Sequence, residues 1–385
     1  PQGRWVRAFG YEETALDERR HPNRRDLDAV APDHPVRLMH RSGHASVLNS
    51  AALREAGIGF ATEETPGGVM ERDLSSGEPT GVLLDMEALI EAAMPSLPYE
   101  ELSAAVAEAS GRFLRAGVTC VQDATYTNGR TTWELFERLI EDGALPLDVV
   151  LMEGVEHLGE LPERGANGRL RRGPVKIMLF ELGDDFTPGE NELSLQVSVA
   201  HAAGRQVAVH AVGERAVSSA AEAIEAALAE RPRVDHRHRI EHCGLLPDGL
   251  AARLADLGIV IVSQPSFLYE RGERYRQLVP EERLRALYAF RTLRDAGVRL
   301  AAGSDAPVSP PQPLASVAAA SERKTSDGEP LGLEQAVPAG EALRWWTAGA
   351  AHAAFLEGER GALRPGLRAD LVLVPANGLH GPPEG

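Results

Sequence analysis

The runs QVAVHAV at 206–212, RIEHC at 239–243 and RLAAGSDAP at 299–307 each place a polar residue, His210, His242 or Asp305, at the exit of a short apolar stretch. A strand buried in a parallel sheet is ordinarily Val, Ile, Leu or Ala throughout, so polar exits on three strands need a reason. In a barrel of parallel strands the C-terminal strand ends carry the chemistry, and imidazole with carboxylate is a ligand set for a divalent metal, with zinc the expected one.

Alternation sorts the faces of these strands. In QVAVH the large Val207 and Val209 suit the helix side, which leaves small Ala208 and His210 pointing inward. In VKIMLFE, 175–181, Val175, Ile177 and Leu179 share one face, so Lys176 points inward, an expensive place for an amine unless something uses it. Ala301 and Gly303 share the face of Asp305 and leave room beside it.

Outward from these runs the chain alternates helix and strand, the rhythm of βα units. Helices are predicted over 103–116, 131–142 and 190–203, stopped by Gly117, Gly143 and Gly204. Strands are predicted at VTCVQDA (118–124), LDVVLM (147–152) and IVIVSQP (259–265) as well as the four already named, seven in all. A closed barrel of the common type takes eight. One is missing, and the sheet is expected to be open between the strands of Cys120 and Asp305.

The first hundred residues do not supply it plainly. PVRLMH (35–40) is an apolar run, but SVLNSAALREAGI (46–58) reads as a short helix and GGVMERDLSSGEPTGVLL (67–84) as a hairpin turning at Ser75 to Glu78, together an inserted substructure. The expected division is 1–100 as insertion or cap, 101–358 as barrel, and 359–385 as the remnant of an accessory β-sandwich, with ADLVLVP (369–375) as its strand. Residues 321–330 and the tail after Asn377 look flexible.

Composition excludes other classes. With 40 Lys and Arg against 57 Asp and Glu, the net charge of −17 repels nucleic-acid backbones and anionic lipid surfaces. Two cysteines form no disulfide framework, and no run reaches the length of a membrane span, so a cytoplasmic protein acting on a small molecule is expected, with a homo-oligomer allowed.

In order and spacing, VKIML, VAVHAVG, HRIEHC, AAGSDAP and RPGLRADLVLV resemble the amidohydrolase superfamily, in its family 3 or YtcJ-like branch of metal-dependent hydrolases. LMHRSGHASVLNSAALREAGI (38–58) is similar to that branch's N-terminal insertion. The resemblance implies a TIM-type (β/α)8 barrel with an accessory β-sandwich. It also implies metal-assisted hydrolysis of a C–N bond in an amide, cyclic amide or amidine-like substrate, using one or two ions. Carried over, Lys176 is a carboxylated metal bridge, His210 and His242 are metal ligands, and Asp305 is ligand and general base; His44 is a substrate contact. The family's barrel opens with a His-x-His pair on its first strand, and none occurs before residue 100. The missing strand and the missing ligands are one object.

Other readings stand beside these. An ester or lactone could be the substrate, or the chain could be a degenerate member that binds without catalysis. Lys176 could instead pair with Glu181 or Asp184, while Glu241 and Asp123 are available to orient the histidines. His236 and His238 have the right spacing for the missing pair but precede the strand of His242. Cys243, Trp345 and Trp346 read as packing residues, and His352 as a surface or interface residue.

Overall fold

The apolar runs assemble into two principal sheets, one in each of the two units, residues 1–98 and 99–385, into which the chain divides. The computed structural model describes residues 4–65, 67–182 and 185–374. Among them no helix is long and apolar enough to cross a membrane.

The N-terminal unit contains β1 (Val6–Tyr11), β2 (Val36–His40), β3 (Ala45–Leu48), β4 (Val69–Arg72) and β5 (Pro79–Leu84), in the order β1-β2-β3-β5-β4. The first pair is parallel and the rest antiparallel. The hairpin expected at 67–84 forms as β4 and β5. Its turn is held by Asp73 Oδ1, which accepts from the backbone N–H and the hydroxyl of both Ser75 and Ser76.

The helix expected over 46–58 is corrected. Ser46 to Leu48 join β3 because β2 and β5 are both there to pair with it, and the helix begins only at Ser50, where the Asn49 side chain caps it by accepting from the Ala52 N–H. PVRLMH becomes β2 of this sheet.

In the second unit the strands are β6 (Cys120–Asp123), β7 (Asp148–Gly154), the two-residue β8 (Arg164–Gly165), β9 (Leu170–Ile177), the small hairpin β10 (Phe180–Leu182) and β11 (Asp185–Thr187), β12 (Val207–Ala211), β13 (Arg239–His242), β14 (Val260–Ser263) and β15 (Arg299–Ala302). Seven of them run parallel in the order β15-β14-β13-β12-β9-β7-β6. This is a half-barrel wall of the TIM type, lined by helices. Among the described residues no ladder joins β6 to β15, so the sheet opens at the expected seam.

Helices at Tyr99–Arg115, Arg130–Glu141 and Glu190–Ala202 end before Gly117, Gly143 and Gly204, all at positive φ, as a C-terminal glycine cap requires. Val175, Ile177, Val207 and Val209 pack in one core with Leu193 and Val197 of the helix at 190–202 and Val217 and Ile224 of Glu214–Glu230. Lys176, Ala208 and His210 are left on the other face of the sheet, as alternation demands.

Two further expectations fail. Residues 369–374 form no strand: no ladder partner stands beside them among the described residues, and Leu373 is fully exposed. Pro375 and the tail after Asn377 lie outside the described residues. The stretch 321–330 is held, because the buried Arg323 guanidinium donates to the carbonyls of Leu287, Tyr288 and Leu331 and a bridge joins Lys324 to Pro330.

Candidate metal centre

The candidate centre is built on the inward faces of β9 and β12 and the exit of β13. Register places Lys176 beside Ala208, His210 beside Glu241, and Ala211 beside His242. His242 Nδ1 lies 2.7 Å from Gln264 Oε1, an acceptor, so that nitrogen carries the ring proton. The Nε2 lone pair of His242 therefore points at His210 Nδ1, 2.9 Å away, with ring centroids 4.4 Å apart. Two ligands about 2.0–2.1 Å from one tetrahedral ion stand about 3.3 Å apart, so this nitrogen pair fits a shared metal with a small relaxation.

Lys176 is buried, and burial pulls its pKa down while the charges of Glu241 and Asp305 pull it up. His242 is likewise depressed by burial, with Asp305 opposing. The four residues singled out by sequence thus share one electrostatic neighbourhood. They do not close equally: Asp305 is exposed at the end of the edge strand β15, and its carboxylate does not form a cluster within 4.8 Å with the two histidines.

Backbone strain marks the same strand exits. His242, Cys243 and Asp305 all have positive φ, at 74°, 51° and 58°, a region costly for residues with a Cβ and concentrated at sites where the surrounding structure enforces it. Cys243 itself turns into the helix-side core, where burial raises its thiol pKa to about 12.

The orienting residue differs from the two named from sequence. Glu241 is held by Arg239 Nε at 2.6 Å, a fully buried guanidinium that also reaches Gln122 Oε1. Asp123 accepts from the Thr125 N–H and from Asn128 Nδ2. The missed orienter is Gln264, assisted by Ser263, whose hydroxyl donates to the His242 carbonyl at 2.8 Å. The signal was present, since Ser263 and Gln264 are also polar exits from an apolar run.

The rival partners of Lys176 are otherwise placed. Glu181 accepts from the N–H groups of Val212 and Gly213 at the start of the helix Glu214–Glu230, and Asp184 lies outside the described residues. His44 belongs to the N-terminal unit, where its Nδ1 is 2.6 Å from Asp85 Oδ1.

The three other buried histidines of the second unit, His201, His236 and His238, are already satisfied. His236 Nδ1 accepts from the His238 N–H and its Nε2 donates to the Leu257 carbonyl. His238 Nδ1 accepts from the Val207 N–H, so its Nε2 donates to His201 Nδ1, and His201 Nε2 donates to the Arg231 carbonyl. Every ring nitrogen is used with all three rings neutral, which leaves none to ligate an ion.

A family model described as the Amidohydrolase family matches residues 1–384. The chain is 32% identical to an N-substituted formamide deformylase of Arthrobacter pascens, over 97% of this chain and 74% of that protein. It is 29% identical to the putative amidohydrolase YtcJ of Bacillus subtilis, over 97% and 75%. The crystal structure of an uncharacterized metal-dependent hydrolase from Pyrococcus horikoshii superposes with a TM-score of 0.76 at 25% identity, covering 99% of this chain and 78% of that one.

Proposed function

Because the chain belongs to the amidohydrolase family, we propose that it hydrolyses a C–N bond in an amide, cyclic amide or amidine-like small molecule, with a divalent ion held by His210, His242, Asp305 and Lys176. The observation that carries this reading is the pair of imidazole nitrogens 2.9 Å apart, one of them fixed as a lone pair by Gln264. Zinc suits the nitrogen and carboxylate donors. When bound, such an ion polarises the carbonyl and makes a water nucleophile available near neutral pH.

The chain's own residues supply the rest. Gln264 holds the His242 ring in the tautomer a ligand needs. Asp305, a carboxylate at a strand exit, accepts the proton of the attacking water and returns it to the leaving nitrogen. Lys176 is pushed by burial toward the neutral amine that carboxylation requires, and as a carbamate it would present oxygens to the ion. The relative named as a formamide deformylase supports a C–N bond as the target.

The test is metal analysis of the full chain reconstituted with zinc or manganese, combined with a panel of formamides, cyclic amides and esters. Bound metal that is lost in His210→Ala, with turnover of a C–N substrate, is the expected result. A chain that stays metal-free after reconstitution, or that cleaves esters alone, overturns the reading.

A further inference from the structure

Outside the barrel wall, one group among the described residues brings three metal-ligating side chains together. Glu12, Glu13 and His40, all in the N-terminal unit, have ligand atoms that lie within 4.8 Å of one another. The backbone converges them. β1 and β2 run in parallel register up to Phe9 opposite Met39, and the next pair is Tyr11 opposite His40. The extra residue is Gly10, at φ 103°, and such a bulge re-aims the side chains that follow it. Glu13 then opens a short 3-10 turn, which brings both carboxylates over the end of β2.

His40 carries the inference. It is only 4% exposed, and its Nε2 is buried without a hydrogen-bond partner, although Glu13 Oε2 stands 2.8 Å away and Glu12 Oε1 3.4 Å. Two oxygens crowd the nitrogen without lying where its hydrogen bond would go. Donors of one ion behave this way, because they face a common point and not each other; the edge of a tetrahedron with arms of about 2.0–2.1 Å is about 3.3 Å.

The far side of the ring is also provided for. His40 Nδ1 is 2.7 Å from Ser42 Oγ, an acceptor for the Nδ1 proton that ligation through Nε2 requires, as metal-binding histidines usually have. The Ser42 N–H, 3.1 Å from the same nitrogen, supports the opposite tautomer, so ion uptake exchanges the Nε2 proton for the metal. Tyr11, edge-on to the His40 ring at 5.1 Å, walls the group. Glu12 also pairs with Arg41, at 3.7 Å.

We propose that Glu12, Glu13 and His40 bind a divalent transition-metal ion of the zinc, cobalt or manganese class within the N-terminal unit. One imidazole nitrogen with carboxylate oxygens favours these metals over calcium or magnesium, which take oxygen donors.

Cobalt(II) tests this in the full chain carrying His210→Asn and His242→Asn, which removes the barrel nitrogens. Uptake of one ion per chain is expected, with the visible absorption of a nitrogen- and oxygen-ligated cobalt and a rise in the melting temperature. Adding Glu13→Gln or His40→Gln should abolish uptake and the thermal shift while the far-ultraviolet circular dichroism is unchanged. Absence of uptake at micromolar cobalt in the His210→Asn, His242→Asn chain overturns the proposal, whatever the folding of the further variants, and identifies a plain histidine–carboxylate pair. Uptake that Glu13→Gln leaves intact in a folded chain overturns it equally.

Discussion

Gln264 shows how much of the proposed metal centre depends on a residue outside its proposed ligand set. Its carbonyl fixes the His242 tautomer, so Gln264→Ala frees the ring to rotate and to carry its proton on Nε2. The expected result is a metal affinity lower by about 10–100-fold in chelator competition, with the fold retained. An unchanged affinity would show that His242 is oriented by something else. At this scale the inward faces of Lys176 and His210 were legible in the sequence, because period-two alternation assigns a strand residue to its face; His242, in register with Ala211 of the helix-side core, was picked out only as a polar strand exit. Glu241, available from sequence to orient a histidine, is held by Arg239, two residues earlier on the same face of its own strand. The exposure of Asp305 and the positive φ of His242, Cys243 and Asp305 depend on what stands next to a strand end, which alternation does not encode.

Between elements, the chain of His201, His238 and His236 ties the helix Glu190–Ala202 to the entries of β12 and β13. Burial pushes the His238 pKa down to about 2, against an ordinary value near 6.5. A base whose folded pKa is depressed binds its proton preferentially when unfolded. Its contribution is therefore intact above about pH 6.5 and lost as pH falls toward the folded value. From His238 alone, urea unfolding at pH 5 should give about 2 kcal/mol less stability than at pH 7, and His238→Gln should flatten that dependence. An equal slope in the variant would place the acid sensitivity elsewhere.

Gly204, at φ 74°, ends the same helix, and Gly204→Ala should cost about 1 kcal/mol in the same assay with little change in activity. These helix ends were legible because glycine is the residue that enters the left-handed region at low cost. The strand at Ala45–Leu48 was not, because SVL at the front of an amphipathic run satisfies a helical pattern until two neighbouring strands compete for its backbone. Residues 369–374 failed in the opposite direction, being a good strand pattern with no ladder partner among the described residues.

For the whole molecule, the open seam sets an order of local stability. β12 and β13 have ladders on both sides and cores packed against helices, whereas among the described residues β6 and β15 each have a ladder on one side only. Native-state hydrogen exchange should run fastest in β6 and β15 and slowest in β12 and β13. Uniform protection across all seven strands would mean that the two edges are covered. The count of seven and the position of the seam were legible because each strand is a separate apolar run between helices. The separate five-stranded sheet of the N-terminal unit was legible only as a hairpin and an insertion, since β1 carries mostly exposed side chains and leaves no burial pattern to read.

The absent ladder also bears on how fast the second unit can form. Along its wall each strand pairs with the next long strand of the chain, from β6 to β15, so every pairing closes one local connection, through 3-10 turns and β8 between β7 and β9 and through one or two α-helices elsewhere. A joint between Cys120–Asp123 and Arg299–Ala302 would have the largest sequence separation in the sheet, and loop closure of that span carries the greatest entropic cost. Among the described residues no such joint is made, so the wall can grow from any adjacent pair by stepwise addition. Refolding of this unit is then governed by docking each helix onto two neighbouring strands, not by a final long-range search.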